Sequence, residues 1–117
     1  MAKTIRNRVE EIHMNALAHG WWDDTKDYAD RVAKIPEKIL LVHCELSEAV
    51  EEFRTDKVKT YYDPETGKPE GVFVELADAM IRIMDLCGAC GVDIEQLIEE
   101  KHNYNKTRSH RHGDKKI

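Results

Sequence analysis

Two pairs of carboxylates are spaced for chemistry. Glu45 and Glu48 lie in HCELSEAVEEF (residues 43–53), and Glu75 and Asp78 lie in VELADAMIRIMD (residues 74–85). Each pair is separated i, i+3, so on a helix the two charges sit about 5–6 Å apart at their Cβ atoms and repel unless something positive lies between them. At 100° per residue, Glu45, Glu48 and Glu52 share a sector of roughly 60° with Leu41, whereas Glu51 points about 100° away and reads as a solvated surface charge. Glu75, Asp78, Arg82 and Asp85 fall within about 80° of one another, with Leu76, Met80 and Ile83 on one flank and Val74 and Ile81 on the other. Apolar residues on both sides imply that this acidic stripe faces protein. Burying such groups unpaired would cost several kcal/mol each, so a cation is required.

Arg82 supplies one positive charge, too little for four or more acids. A hard divalent cation is the economical partner: Mg²⁺, with Mn²⁺ as a substitute, takes oxygen ligands and retains positions for water and substrate phosphates. A di-iron carboxylate bundle would need Glu-x-x-His, and neither pair ends in His. The alternative is a purely structural or solvated set of acids. Cys87 and Cys90 form a CxxC, but there is no second Cys pair to complete a structural zinc site.

These side chains need helices to present them. Ile5, Val9, Ile12 and Ala16 recur at helical spacing and predict a first helix over about residues 3–19, with Gly20 as its stop. WWDDTKDYADRVAKI lacks a period and reads as a loop or short turns. Pro36 then opens a second helix that runs to about residue 54 and carries Ile39, Val42, Leu46, Val50 and Phe53 on one stripe. Asp63-Pro64, Gly67, Pro69 and Gly71 force a turn-rich connection with room for a short hairpin in KTYYDPETGKPE. A third helix, VFVELADAMIRIMDLC, closes near Gly88, and Asp93 with Gln96 resembles a capping box for a fourth, DIEQLIEEKHNYNK. The expected architecture is an all-α, four-helix bundle-like single domain over residues 1–117.

At 117 residues, 41% hydrophobic and 35% charged, the composition is that of a helix-rich globular chain. No apolar run approaches a membrane span, MAKTIRNRVEEIH has no apolar signal core, and three Cys, an odd number, fit a reducing compartment, so the cytoplasm is the expected location. The net charge of -5 is unevenly spread: residues 101–117 hold six Lys or Arg against one acid, a net of +5, which leaves -10 on the first hundred. An acidic body argues against wrapping nucleic acid.

The order Glu45-x-x-Glu48, 26 residues, Glu75-x-x-Asp78 resembles the signature of the MazG-like all-α nucleoside triphosphate pyrophosphatases. KPEG at 68–71, ELAD at 75–78, the HGWWD segment and KHNYNKTRSHRHGDKK at 101–116 are similar to segments of single-domain MazG-like proteins, so the resemblance covers most of the chain. It implies Mg²⁺-dependent hydrolysis of a nucleoside triphosphate, deoxy by preference, to the monophosphate and pyrophosphate, with Glu45, Glu48, Glu75 and Asp78 as metal ligands. It also implies a homodimer or homotetramer, in keeping with the spare apolar residues Val72, Phe73, Val74 and Ile81. Within that frame Glu48 or Glu52 is the candidate to take the proton of the attacking water. Lys101, Asn105 and Arg108, at i, i+4 and i+7, together with Arg82, are candidate triphosphate contacts; a charged terminal face is the plain alternative. Trp21 or Trp22 would stack on the base, the other pinning the loop, and His19 would read the base edge. Two rivals remain: a phosphoribosyl-ATP pyrophosphatase-like enzyme of related fold, and a non-catalytic helical module that contacts nucleic acid or a protein partner through its basic tail.

Overall fold

The computed structural model describes residues 2–117. Helix α1 spans Ile5–Ala18. It begins where Thr4 and Asn7 cap each other, the Thr4 hydroxyl accepting from the Asn7 amide and the Asn7 side chain accepting from the Thr4 amide, both at 3.1 Å. It ends at Ala18, one residue before the expected limit, with His19 as its cap, and Gly20 follows at φ +83°. The segment after it is more ordered than its lack of period predicted. Asp27 accepts from the Asp30 amide at 2.9 Å and starts a six-residue helix α2, Tyr28–Ala33. Periodicity needs more than two turns to be visible, which is why α2 escaped a pattern reading.

Lys34 closes α2 and opens α3, Ile35–Arg54, with Pro36 in the first turn where its missing N–H is not needed. The expected hairpin is present as β1 (Tyr61–Tyr62) paired antiparallel with β2 (Pro69–Glu70), Tyr61 opposite Glu70. Its turn is tied by Asp63, whose carboxylate accepts from the amides of Glu65 at 2.8 Å and Thr66 at 3.2 Å. Gly71, at φ +125°, packs so close beneath Lys59 that a Cβ there would lie 2.9 Å from the Lys59 carbonyl oxygen. That contact seats the hairpin against the start of α4.

Helix α4 (Val72–Ala89) runs through Gly88 instead of closing at it. The reason is packing: a Cβ at Gly88 would stand 2.6 Å from the Cβ of His13, so glycine lets α1 and α4 approach at this point. Helix α5 (Ile94–Lys106) starts at Asp93, which accepts from the Gln96 amide at 3.2 Å. Arg6 of α1 holds it, reaching Asp93 at 3.1 Å and Glu95 at 2.6 Å. A final short turn, α6 (Arg111–Asp114), contains left-handed residues His112 and Gly113.

The chain is thus predominantly helical, with α4 lying between α1 and α3 and α5 packed on α1. Small residues line the contacts: Ala16, Ala49, Ala79 and Ala89 are buried, together with the larger Val9, His13, Trp22 and Glu45. Among the described residues no helix is long and apolar enough to cross a membrane. Large apolar groups remain outside, among them Phe53, Phe73, Leu40, Val50 and Met80, each more than half exposed.

Candidate metal centre

Helices α3 and α4 bring Glu45, Glu48 and Glu75 together so that one carboxylate oxygen from each lies within 4.8 Å of the others. Glu45 is buried, Glu75 half-buried and Glu48 exposed. The contact follows from the local sequence. Ala49 and Ala79 are small and buried in the α3–α4 contact region, so the backbones approach and the flanking acids are pressed against each other. One oxygen, Glu75 Oε2, is buried without a hydrogen-bond partner among the described residues. A buried carboxylate oxygen that no donor of the described residues reaches, beside two further carboxylates, would suit a hard cation; otherwise it is relieved only by sharing a proton with Glu45 or Glu48.

The electrostatics point the same way. Burial, hydrogen bonding to Glu45 and Glu48 and the charges of Glu48 and Asp78 push the Glu75 carboxyl up to about 8. Burial and the Glu45 charge also raise Asp78, with Arg82 and Lys68 pulling the other way. Burial pushes Glu45 up too, but the hydrogen bond donated by Arg82, with hydrogen bonding to Glu75 and Glu48, outweighs it and holds this carboxyl below the ordinary range. Without a cation, the cluster shares protons: Glu45 stays ionised against Arg82, whose Nε donates to Glu45 Oε1 at 2.8 Å, and Glu75 keeps its proton.

The other candidate residues are distributed as follows. Asp78 stands with Glu45 and Arg82 on the wall of a cavity of about 470 Å³ between α1, α3 and α4. Glu52 lies outside the three-carboxylate group; its Oε2 accepts from the Tyr61 hydroxyl at 3.0 Å, which ties α3 to the hairpin. Burial and the Glu52 carboxylate raise the Tyr61 phenol to about 12, so it remains a donor. Trp21 is 66% exposed and lines the cavity, whereas Trp22 is only 3% exposed. His19 is turned back on α1, with its Nδ1 2.8 Å from the Asn15 carbonyl oxygen, and is not part of the cavity wall.

Lys101, Asn105 and Arg108 are not among the residues that line the cavity beside the carboxylates. Lys101 and Asn105 border a separate depression made by α5 alone, because α5 packs on α1 and not on α3. Arg108 falls beyond the last residue of α5, so the three do not form one helical face; Arg108 instead lies 5.9 Å from the Tyr104 ring, which Lys101 also covers at 4.9 Å.

Two participants, His13 and Lys38, were not singled out from sequence. Asp85, expected within the acidic stripe, is turned to another use: it accepts from His13 Nδ1 at 2.8 Å and from Trp22 Nε1 at 3.1 Å, so it fixes the buried tryptophan. His13 was legible as an α1 residue in register with Val9 and Ala16, but nothing in one helix announces a partner on another. Lys38 stands on the cavity wall with its Nζ 4.4 Å from the centre of the Trp22 ring. Its position seven residues before Glu45, two turns along the same face, was the available signal. No family model matches this chain, and no curated protein or solved structure matches it.

Proposed function

We propose that the chain is a Mg²⁺-dependent nucleoside triphosphate pyrophosphohydrolase of MazG-like type, cleaving a (deoxy)nucleoside triphosphate to the monophosphate and pyrophosphate in the sanitation of nucleotide pools. The observation that carries this reading is the partnerless, buried Glu75 Oε2 inside a three-carboxylate group that opens beside a cavity. All the donors are hard oxygens, which suits Mg²⁺ or Mn²⁺ and not the softer metals. Glu45, Glu48 and Glu75, with Asp78 next to them, would hold the cation; when bound, it supplies charge neutralisation for phosphate oxygens. Of these residues, Glu48 is the one open to solvent and so takes the proton of the attacking water. Glu52 is the second candidate base, but its tie to Tyr61 gives it first a positioning role. Arg82 is engaged through Nε alone in this chain, which leaves its terminal nitrogens for phosphate oxygens at the cavity wall.

Pyrophosphate release from a panel of nucleoside triphosphates, with phosphoribosyl-ATP included as the related-fold rival substrate, tests the proposal. Glu48→Gln and Asp78→Asn should each lower turnover by roughly 100-fold or more while circular dichroism stays unchanged, as expected when charge complementary to the reacting phosphate is lost. A wild-type protein inactive on the whole panel with both Mg²⁺ and Mn²⁺ would sink it.

A second reading draws on the separation of α5 from the carboxylates: Lys101, His102 and Asn105 form their own surface, which would serve a binding module. That reading predicts salt-sensitive association with nucleic acid, indifferent to Glu48→Gln. A cytoplasmic homodimer or homotetramer completes the proposal.

A further inference from the structure

The helix pair that carries the carboxylates has a second face. The Val72 amide donates to the Lys57 carbonyl oxygen at 3.1 Å, so α4 starts beside the end of α3 and the two helices run antiparallel. They meet where Ala49 and Ala79 are buried and where Arg82 reaches Glu45. From that contact, at about 100° per residue, Leu46, Val50 and Phe53 lie roughly 90° around α3, and Phe73, Leu76 and Met80 lie roughly 120° around α4 in the same rotational sense. Turns of one sense on antiparallel helices fall on one side of the pair, so these residues form a single apolar face, and all of them are exposed. Asp78 and Asp85 lie on the other side, where α1 packs and His13 meets Asp85.

The two sides differ in charge. Glu75, Asp78, Arg82 and Asp85 are the charged residues of α4, and none lies on the apolar face; α3 brings only His43 and Arg54 to its margin. A two-fold axis sets a patch against its own copy, so acids would meet acids and repel on the carboxylate side, whereas an uncharged apolar face suits itself. Its size is adequate. Helix α4, with 18 residues, is about 27 Å long, and two packed helices are roughly 20 Å wide; the relief of protruding side chains brings this to the scale of the roughly 600–1,000 Å² that each partner gives a stable interface. The chain buries mainly alanines and leaves its larger apolar groups on this face, so the cover must be present whenever the chain folds, a condition that a second copy meets.

We propose that a second copy of this chain seats the same α3–α4 face against this one about a two-fold axis, back to back, with both carboxylate groups and their cavities turned outward. This rests on the oligomer proposed above and not on the hydrolase reading, which none of the measurements below involves.

Two methionines allow the test on wild-type protein. Within one chain Met14 on α1 is 65% exposed and Met80 is 56% exposed, and peroxide converts accessible methionine to the sulfoxide. Mass spectrometry after brief peroxide treatment at micromolar protein should find Met80 oxidised several-fold more slowly than Met14. In sedimentation equilibrium Met80→Glu should weaken the dimer by roughly 100-fold or more, because it buries an unpaired carboxylate in an apolar interface, while Met14→Glu leaves it unchanged. The wild-type melting temperature should rise with protein concentration, a readout that stands even where Met80→Glu fails to fold. A dimer in which Met80 and Met14 oxidise at equal rates, or one that Met14→Glu weakens and Met80→Glu does not, overturns this face and leaves the oligomer. A wild-type monomer overturns both, and pyrophosphate release judges the hydrolase reading separately.

Discussion

At the residue scale, Glu75 sets how the site responds to pH. Its carboxyl titrates near 8 in the folded protein against an ordinary 4.5, so the native state holds a proton that the unfolded chain releases. Stability from this group is therefore fullest below the ordinary carboxylate value and is lost as pH climbs toward 8; the raised Asp78 carboxyl adds in the same direction. A divalent cation must displace that proton. Thermal melts should show the metal-free protein losing stability from pH 5 to pH 8, and the rise in melting temperature caused by Mg²⁺ growing over the same interval. A Mg²⁺ effect of equal size at both ends of the range would dissociate Glu75 from the metal. The carboxylates themselves were legible in the sequence, since i, i+3 spacing between apolar flanks is a property of a single helix. Lys38 and His13 were not, because what distinguishes them is the Trp22 ring and the Asp85 carboxylate contributed by other segments.

At the scale of elements, the approach of α1 to α4 depends on Gly88. Alanine in an exposed helix interior would stabilise by about 0.5–1 kcal/mol relative to glycine. Here the added methyl would meet His13 Cβ at 2.6 Å and Val9 Cγ1 at 3.3 Å, and overpacking costs about 1–3 kcal/mol, so the clash wins. Gly88→Ala should lower the midpoint of urea unfolding; an unchanged or higher midpoint would show that α1 shifts freely. His13 carries the Asp85 contact that holds Trp22, so a displaced α1 also loosens the cavity wall. The long helices were foreseeable from their apolar period, and the hairpin from Pro64, Gly67 and Gly71. Helix α2 is too short to show a period, and the continuation of α4 through Gly88 depends on a residue 75 positions earlier in the chain.

At the scale of the whole molecule, the radius of gyration is 17.0 Å, against about 13 Å for a compact chain of this length. Among the described residues no large side chain is fully buried, while Phe53, Phe73, Leu40 and Met80 stand in the open. Apolar exposure on this scale in a short helical chain supports the proposed oligomer, in which another copy would cover it. Light scattering should return a dimer or tetramer at micromolar concentration, and Phe53→Glu combined with Phe73→Glu should shift it to monomer. A monomeric wild type would contradict this. In the proposed oligomer, Lys101 and Asn105, which border a depression separate from the cavity beside the carboxylates, would be free to reach a triphosphate in another chain's site.

The central place of α4 also shapes how the protein comes into being. Helices α1 and α3 each pack along α4 and scarcely on each other, so the apolar faces of both wait for residues 72–89 to be synthesised. Roughly the first three-fifths of the nascent chain thus precedes the helix that its apolar faces pack on, and packing must wait until α4 has been made.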